Sequence, residues 1–220
     1  MIPLQAGVPP RAVDIDADHL RAGIPAADGP AGLVLARLHL HFETKPAAAQ
    51  GEPALGVNLA AADIALPGGP AWALGPTIAS IGLDGMLTGP LPRAPDLTTR
   101  ATGWRNGGGT LELRRVAVEW GPLDLSASAT LALDDRMQPM GAGTARIVGE
   151  AETLDALAAA NAIAPRAALA AKAVLGLMAH APPDGGPPQV DVPLTLQNRA
   201  LSVGRIPLLR LPELFWPEPL

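Results

Sequence analysis

"LVLARLHLHFE", Leu33–Glu43, decides the fold, because its side chains alternate in character with a period of two. Only a β-strand sends successive side chains to opposite faces, so this stretch is an extended strand with two unlike sides. Arg37, His39, His41 and Glu43 share one side, and Val34, Ala36, Leu38, Leu40 and Phe42 share the other. The apolar row is expected to face the interior and the polar row water.

The same rhythm recurs in Val13–Leu20, Leu55–Leu66, Ile78–Leu87, Leu111–Trp120, Leu123–Leu133 and Val190–Val203, the last broken by "QNRA". Between them stand "DGPAG", "KPAAAQGEP", "PGGP", "TGPLPRAP", "NGGG", "WGP" and "DDRMQP", clusters in which Gly, Pro, Asn and Asp reverse the chain. Successive antiparallel strands are the expected arrangement. In Leu111–Trp120 the apolar phase moves from Leu111 and Leu113 to Val116 and Val118 across Arg114 and Arg115, which predicts a β-bulge. In Leu55–Leu66 it moves from Leu55, Val57 and Leu59 to Ile64 and Leu66, and a similar interruption is expected.

One region departs from this period. Glu150–Ala181, rich in Ala and Leu with acidic residues in its opening turn, reads as two helices. Pro165 suits the first turn of the second, and "PPDGGPP" stops it. Leu154, Leu157, Leu169, Val174, Leu177 and Met178 are the expected apolar face, laid on one side of the sheet. The predicted fold is mainly β with a helical insert, in the α+β class: a curved, bulged antiparallel sheet partly covered by two helices at about 150–181. The expected boundaries are a tail at 1–10, one domain over 11–214 and a tail at 215–220.

Composition narrows the chemistry. The chain has 220 residues, 48% of them hydrophobic but only 3% aromatic, so its interior is built from aliphatic side chains. A net charge of -5 without a basic stripe removes the electrostatic footprint of a nucleic-acid binder. The absence of Cys excludes disulfides, thiolate catalysis and cysteine-ligated metals. "MIPLQAGVPPRAV" has neither a basic n-region nor an unbroken apolar run, and the most apolar stretch, Ala167–Ala181, carries Lys172 and is shorter than the roughly 20 residues of a spanning helix. No signal peptide and no transmembrane segment is therefore expected in this chain.

The residues that invite chemistry are few. His39, His41 and Glu43, with Asp14 and Asp16 of "DIDADHL" on a neighbouring strand, form the one conceivable metal-binding set. One strand supplies candidates rather than a cage, so hydrated polar rows are the competing reading. A calcium loop is excluded, because its sixth position holds His19 and its twelfth Pro25. "WRNGGGTLEL" lacks the lysine of a phosphate loop and leads into a strand, so its glycines are expected to make a turn. Neither "GxSxG" nor "HExxH" occurs, and Ser80, Ser126, Ser128 and Ser202 have no recognisable base partner. No catalytic residue and no cofactor is expected. The tryptophans Trp72, Trp104, Trp120 and Trp216 are expected to cap the ends of the core.

"LELRRVAVEWGPL" and "LTLQNRALSVGRIPL" echo one another, which suggests one hairpin design used twice. With "GWRNGGGTLELRRVAVEWGPLDLSASATLALD", "LDALAAANAIAPRAALAAKAVLGLMA" and "VPLTLQNRALSVGRIPLLRLPEL" in that order, and "LGPTIASIGLDGMLTGPLP" before them, the chain resembles the family called domain of unknown function 2125. That resemblance implies a periplasmic envelope protein without catalytic residues, the C-terminal part of a longer or processed precursor. Its strand pattern is similar to AsmA- and TamB-like sheets that cradle lipid. The apolar side chains expected to line a lipid or other hydrophobic ligand are Leu111, Leu113, Val116, Val118, Leu123, Leu125, Leu131, Leu194 and Leu196. The alternative expectation is an assembly module docking to another envelope protein without ligand, and the third is a metal-dependent enzyme using His39 and His41.

Overall fold

The computed structural model describes residues 11–24, 31–45, 48–67, 72–183, 185–204 and 206–217. The expected tail at 1–10, the turn residues Pro25–Pro30 and Gly68–Pro70, and the last three residues lie outside them. Within them the chain forms one open antiparallel sheet of ten strands whose spatial order is the order of the sequence. The strands are β1 (Ala12–Ile24), β2 (Ala31–Thr44), β3 (Pro53–Ala65), β4 (Thr77–Thr88), β5 (Leu111–Trp120), β6 (Leu123–Leu133), β7 (Pro139–Val148), β8 (Gln189–Gln197), β9 (Ala200–Val203) and β10 (Ile206–Arg210). Helix α1 (Leu97–Asn106) lies between β4 and β5, and α2 (Glu150–Ala159) and α3 (Pro165–Met178) lie between β7 and β8.

The bulge expected in β5 is present. Leu113 pairs with Ala129 and Val116 with Ala127, so Arg114 and Arg115 together oppose Ser128. The extra residue returns Val116 and Val118 to the face already held by Leu111 and Leu113. In β3 the phase change has a different cause. The register of β3 against β2 is constant from Val34↔Ala65 to Thr44↔Leu55, so no residue is inserted. Instead Asp63 takes a left-handed conformation with φ 51, and His19 in β1 does the same with φ 55. His19, Ala36, Asp63 and Ala79 stand in one transverse row, the row at which the ladder pairs of β1–β4 are interrupted.

This row is a crease that flips the side-chain phase of four strands together. Leu35, Ile64 and Ile78 pair on one side of it and Leu38, Ala61 and Ile81 on the other, three residues away in each strand, yet all six belong to one apolar cluster. Asp and His are among the few side-chain-bearing residues that enter the left-handed region readily, which explains their place at the fold line. The crease corrects the row predicted for Leu33–Glu43: Leu33 and Leu35, not Val34 and Ala36, continue the apolar side of Leu38, Leu40 and Phe42.

A second cluster joins β6, β7 and β8 to the helices. Ala145, Val190 and Val192 are buried beneath Leu175 and Ala179, with Leu125, Ile147 and Leu194 around them. The predicted sheet-facing stripe of the insert is thereby corrected. Leu169 is 72% exposed and Leu177 89%, and Val174 and Met178 also face outward. Leu175 and Ala179 make the contact with the sheet cluster, and Leu169, Val174, Leu177 and Met178 are left on the outer side of α3.

The sequence echo has two different structural answers. Arg114–Arg115 is a bulge inside one strand, whereas Asn198 and Arg199, with φ 51 and 66, are the two central residues of the turn between β8 and β9. Positive φ at both central residues marks a tight hairpin turn matched to strand twist.

Candidate functional site

The site is built on α1. Pro92 and Pro95 hold the approach extended, and Asp96 starts the helix, its Oδ1 accepting the Thr99 N–H at 2.7 Å. The bond holds the Asp96 carboxyl below its ordinary range, since the backbone donor favours the ionised form. Leu97, Ala101 and Trp104 then fall on one face at positions i, i+4 and i+7. Trp104 is buried, and its Nε1–H donates to the Thr88 carbonyl at 2.8 Å, which pins the helix to the end of β4. The run of glycines after it has a steric reason: a Cβ on Gly109 would stand 2.2 Å from Trp104 Nε1. The expected glycine turn is therefore also the bed of an indole ring.

The third wall is the segment that follows β10. Gln138 donates from Nε2 to the Leu214 carbonyl at 3.1 Å and accepts the Leu214 N–H on Oε1 at 2.9 Å. Trp216 donates from Nε1 to the Met137 carbonyl at 2.9 Å, and the Thr98 hydroxyl donates to the Pro217 carbonyl. These bonds strap residues 211–217 beside α1. Between strap, helix and sheet opens a cleft of about 350 Å³ lined by Leu87, Leu91, Leu97, Arg100, Ala101, Trp104, Leu111, Leu131, Ala132, Leu133, Pro139, Leu214 and Trp216. Arg100 is the one charged side chain in that lining.

The nine apolar residues singled out from sequence share one face of the sheet, and the helices divide them. Leu111 and Leu131, paired across β5 and β6, form the floor of the cleft. Leu125 and Leu194 lie beneath α3, and Leu196 is buried. Leu113, Val116, Val118 and Leu123 occupy the half-buried strip of the same face. The lining residues missed are Leu91, Leu97, Arg100, Ala101, Trp104, Leu214 and Trp216 from outside the strands, and Leu87, Ala132, Leu133 and Pro139 from their ends.

On the opposite face, the histidines and aspartates meet in pairs. Asp16 stands across from His39 and Asp14 across from His41, with Oδ1 to Nδ1 separations of 2.7 and 2.6 Å. Each carboxylate thus orients one imidazole of the adjacent strand. Glu43 lies across from Ala12 and Gly56, apart from both pairs. Among the described residues no group of three or more His, Asp or Glu stands close enough to share a metal ion. This polar face carries a wider depression, of about 660 Å³, lined in part by Asp16, His39, Asn58, Ser80, Asp84 and Arg115. Several of its charges are engaged with one another: Arg114 reaches Asp84 Oδ1 through Nε at 3.2 Å and Nη2 at 2.8 Å, and Arg146 reaches Asp191 at 3.2 Å.

Fold and site together define an open β-meander with an apolar cleft closed on one side by a helix and a C-terminal strap. Residues 3–212 match the family described as "Uncharacterized protein conserved in bacteria (DUF2125)", and the chain belongs to that family. No curated protein and no solved structure matches it. Among the described residues no helix is long and apolar enough to cross a membrane.

Proposed function

We propose that this protein holds a lipid or other hydrophobic ligand in the bacterial periplasm, without catalysing a reaction on it, and that the cleft beneath α1 receives the apolar part. The observation that carries this reading is a cleft whose lining is aliphatic or indole on all sides but one, of a volume within the roughly 300–1,000 Å³ of ligand pockets. An acyl chain asks for smooth apolar contact and few hydrogen bonds, and that is what Leu87, Leu111, Leu131 and Leu133 offer. The periplasmic placement rests on the family resemblance.

Native mass spectrometry of the purified protein with added palmitate tests the reading. A one-to-one adduct in the unmodified protein that is lost in Ala101→Trp, where the indole occupies the cleft, is the expected result. Absence of any adduct, or an adduct indifferent to Ala101→Trp, overturns it. A second reading, docking to another envelope protein, is favoured by the outward row Leu169, Val174 and Leu177 on α3. A stable complex recovered with an envelope protein and lost in Leu177→Glu would support it.

A further inference from the structure

The cleft-facing stripe of α1 reads Leu97, Arg100, Ala101 and Trp104, spaced i, i+3, i+4 and i+7. Helical periodicity calls for an apolar side chain at the second of these positions, and an arginine stands there. Its Nε–H donates to the Ala94 carbonyl at 2.6 Å, which fixes the plane of the guanidinium and leaves its two Nη groups without a hydrogen-bond acceptor among the described residues. Among the described residues no carboxylate forms a close ion pair with it; its charge reaches the Asp96 carboxylate, which is committed to the helix cap. An arginine in such a position lays its methylene stem along the apolar wall and keeps its charged end at the water's edge. The rim beside it is apolar: Leu97 is 61% exposed, and Leu91, Leu214 and Phe215 are exposed as well.

A greasy cleft with one anchored cation on its helix wall, held in no close ion pair among the described residues, has the polarity of an amphiphile in reverse. Building on the proposed ligand-holding role, the geometry points to a single-chain amphiphile with an anionic head as the occupant, its tail in the cleft and its carboxylate or phosphate on the Arg100 guanidinium. The planar fork of donors on arginine suits either oxyanion, and a charge-assisted pair of this kind discriminates strongly against a neutral head of equal length.

The test is displacement of the neutral apolar probe N-phenyl-1-naphthylamine by palmitate, hexadecyl phosphate and hexadecanol, with the unmodified protein, Arg100→Gln and Arg100→Lys, folding being checked by circular dichroism. The two anions are expected to displace the probe at concentrations lower than hexadecanol by a factor of about ten or more. Arg100→Gln should abolish that advantage and Arg100→Lys should keep part of it, each compared with the variant's own affinity for the probe. Equal displacement by all three, unaltered in Arg100→Gln, overturns the anionic head while leaving the apolar cleft standing. A protein that takes up neither probe nor amphiphile overturns both.

Discussion

Gln138 and Leu214, 76 positions apart, are joined by two hydrogen bonds in which the side-chain amide of one imitates a strand partner for the backbone of the other. Gln138 is itself buried, and its own N–H is held by Asp134 Oδ1 at 2.8 Å, so the latch is mounted on the rigid turn before β7. Gln138→Ala removes both bonds and is expected to cost about 1–3 kcal/mol in urea denaturation. Hydrogen exchange at the Leu214 amide should accelerate at the same time. A protected Leu214 amide in the variant would show that Trp216 alone holds the strap.

The crease through β1–β4 depends on the backbone of Asp63 more than on its side-chain contacts. Asp63 pays for its left-handed backbone, and its ion pair with Arg37, 3.9 Å long and largely exposed, contributes little in return. Asp63→Gly and Asp63→Asn should therefore stay within about 0.5 kcal/mol of the parent in thermal or urea unfolding. Asp63→Val should lose about 1–2 kcal/mol, since a β-branched residue resists positive φ. Equal stability of the valine variant would mean that the strand can flatten and the phase flip is not required.

Acid should weaken the protein through two exposed carboxylates. The Lys45 ammonium beside Glu52, at 2.8 Å, and the Thr99 N–H on Asp96 each hold a carboxyl below its ordinary range. A depressed folded pKa gives stability that is fully present above the unfolded pKa, near 4, and is lost as pH falls through the lower folded value. Unfolding curves taken from pH 6 down to pH 2 should therefore drop less steeply for the Glu52→Gln, Asp96→Asn double variant than for the parent. Asparagine still caps α1, so the two proteins should differ in slope on the acid side more than in α1 structure at neutral pH. Parallel curves would show that neither carboxylate is coupled to folding.

Strands with large aliphatic rows declared themselves in the sequence, while elements built from small or polar residues did not. β7, "PMGAGTARIV", turns Gly141, Gly143 and Ala145 toward the apolar face, so it carries almost no hydrophobic alternation. Those glycines are structural: a Cβ on Gly143 would stand 2.3 Å from the Ser128 carbonyl oxygen. α1 hid because Thr, Gly and Arg dilute its apolar stripe, although Pro95 and Asp96 before it marked a helix start. β10 hid as the tail of a turn. The apolar floor of the cleft was thus legible at Leu111 and Leu131, but its helix and strap were not, because a partner that arrives from another element leaves no period in the strand it covers. The polar pairs Asp14–His41 and Asp16–His39 were legible as a row of candidates, and only the register showed that each acid takes one imidazole.

Each strand hydrogen-bonds only to those immediately before and after it in the chain, and most turns between them are short. A nascent chain can therefore zip the layer hairpin by hairpin as it emerges, without holding an early strand in reserve for a late one. The longest wait is between β7 and β8, where α2 and α3 must be made before Val190 reaches Ile147. Folding is expected to pause there, with the first seven strands already assembled as a template for the remainder.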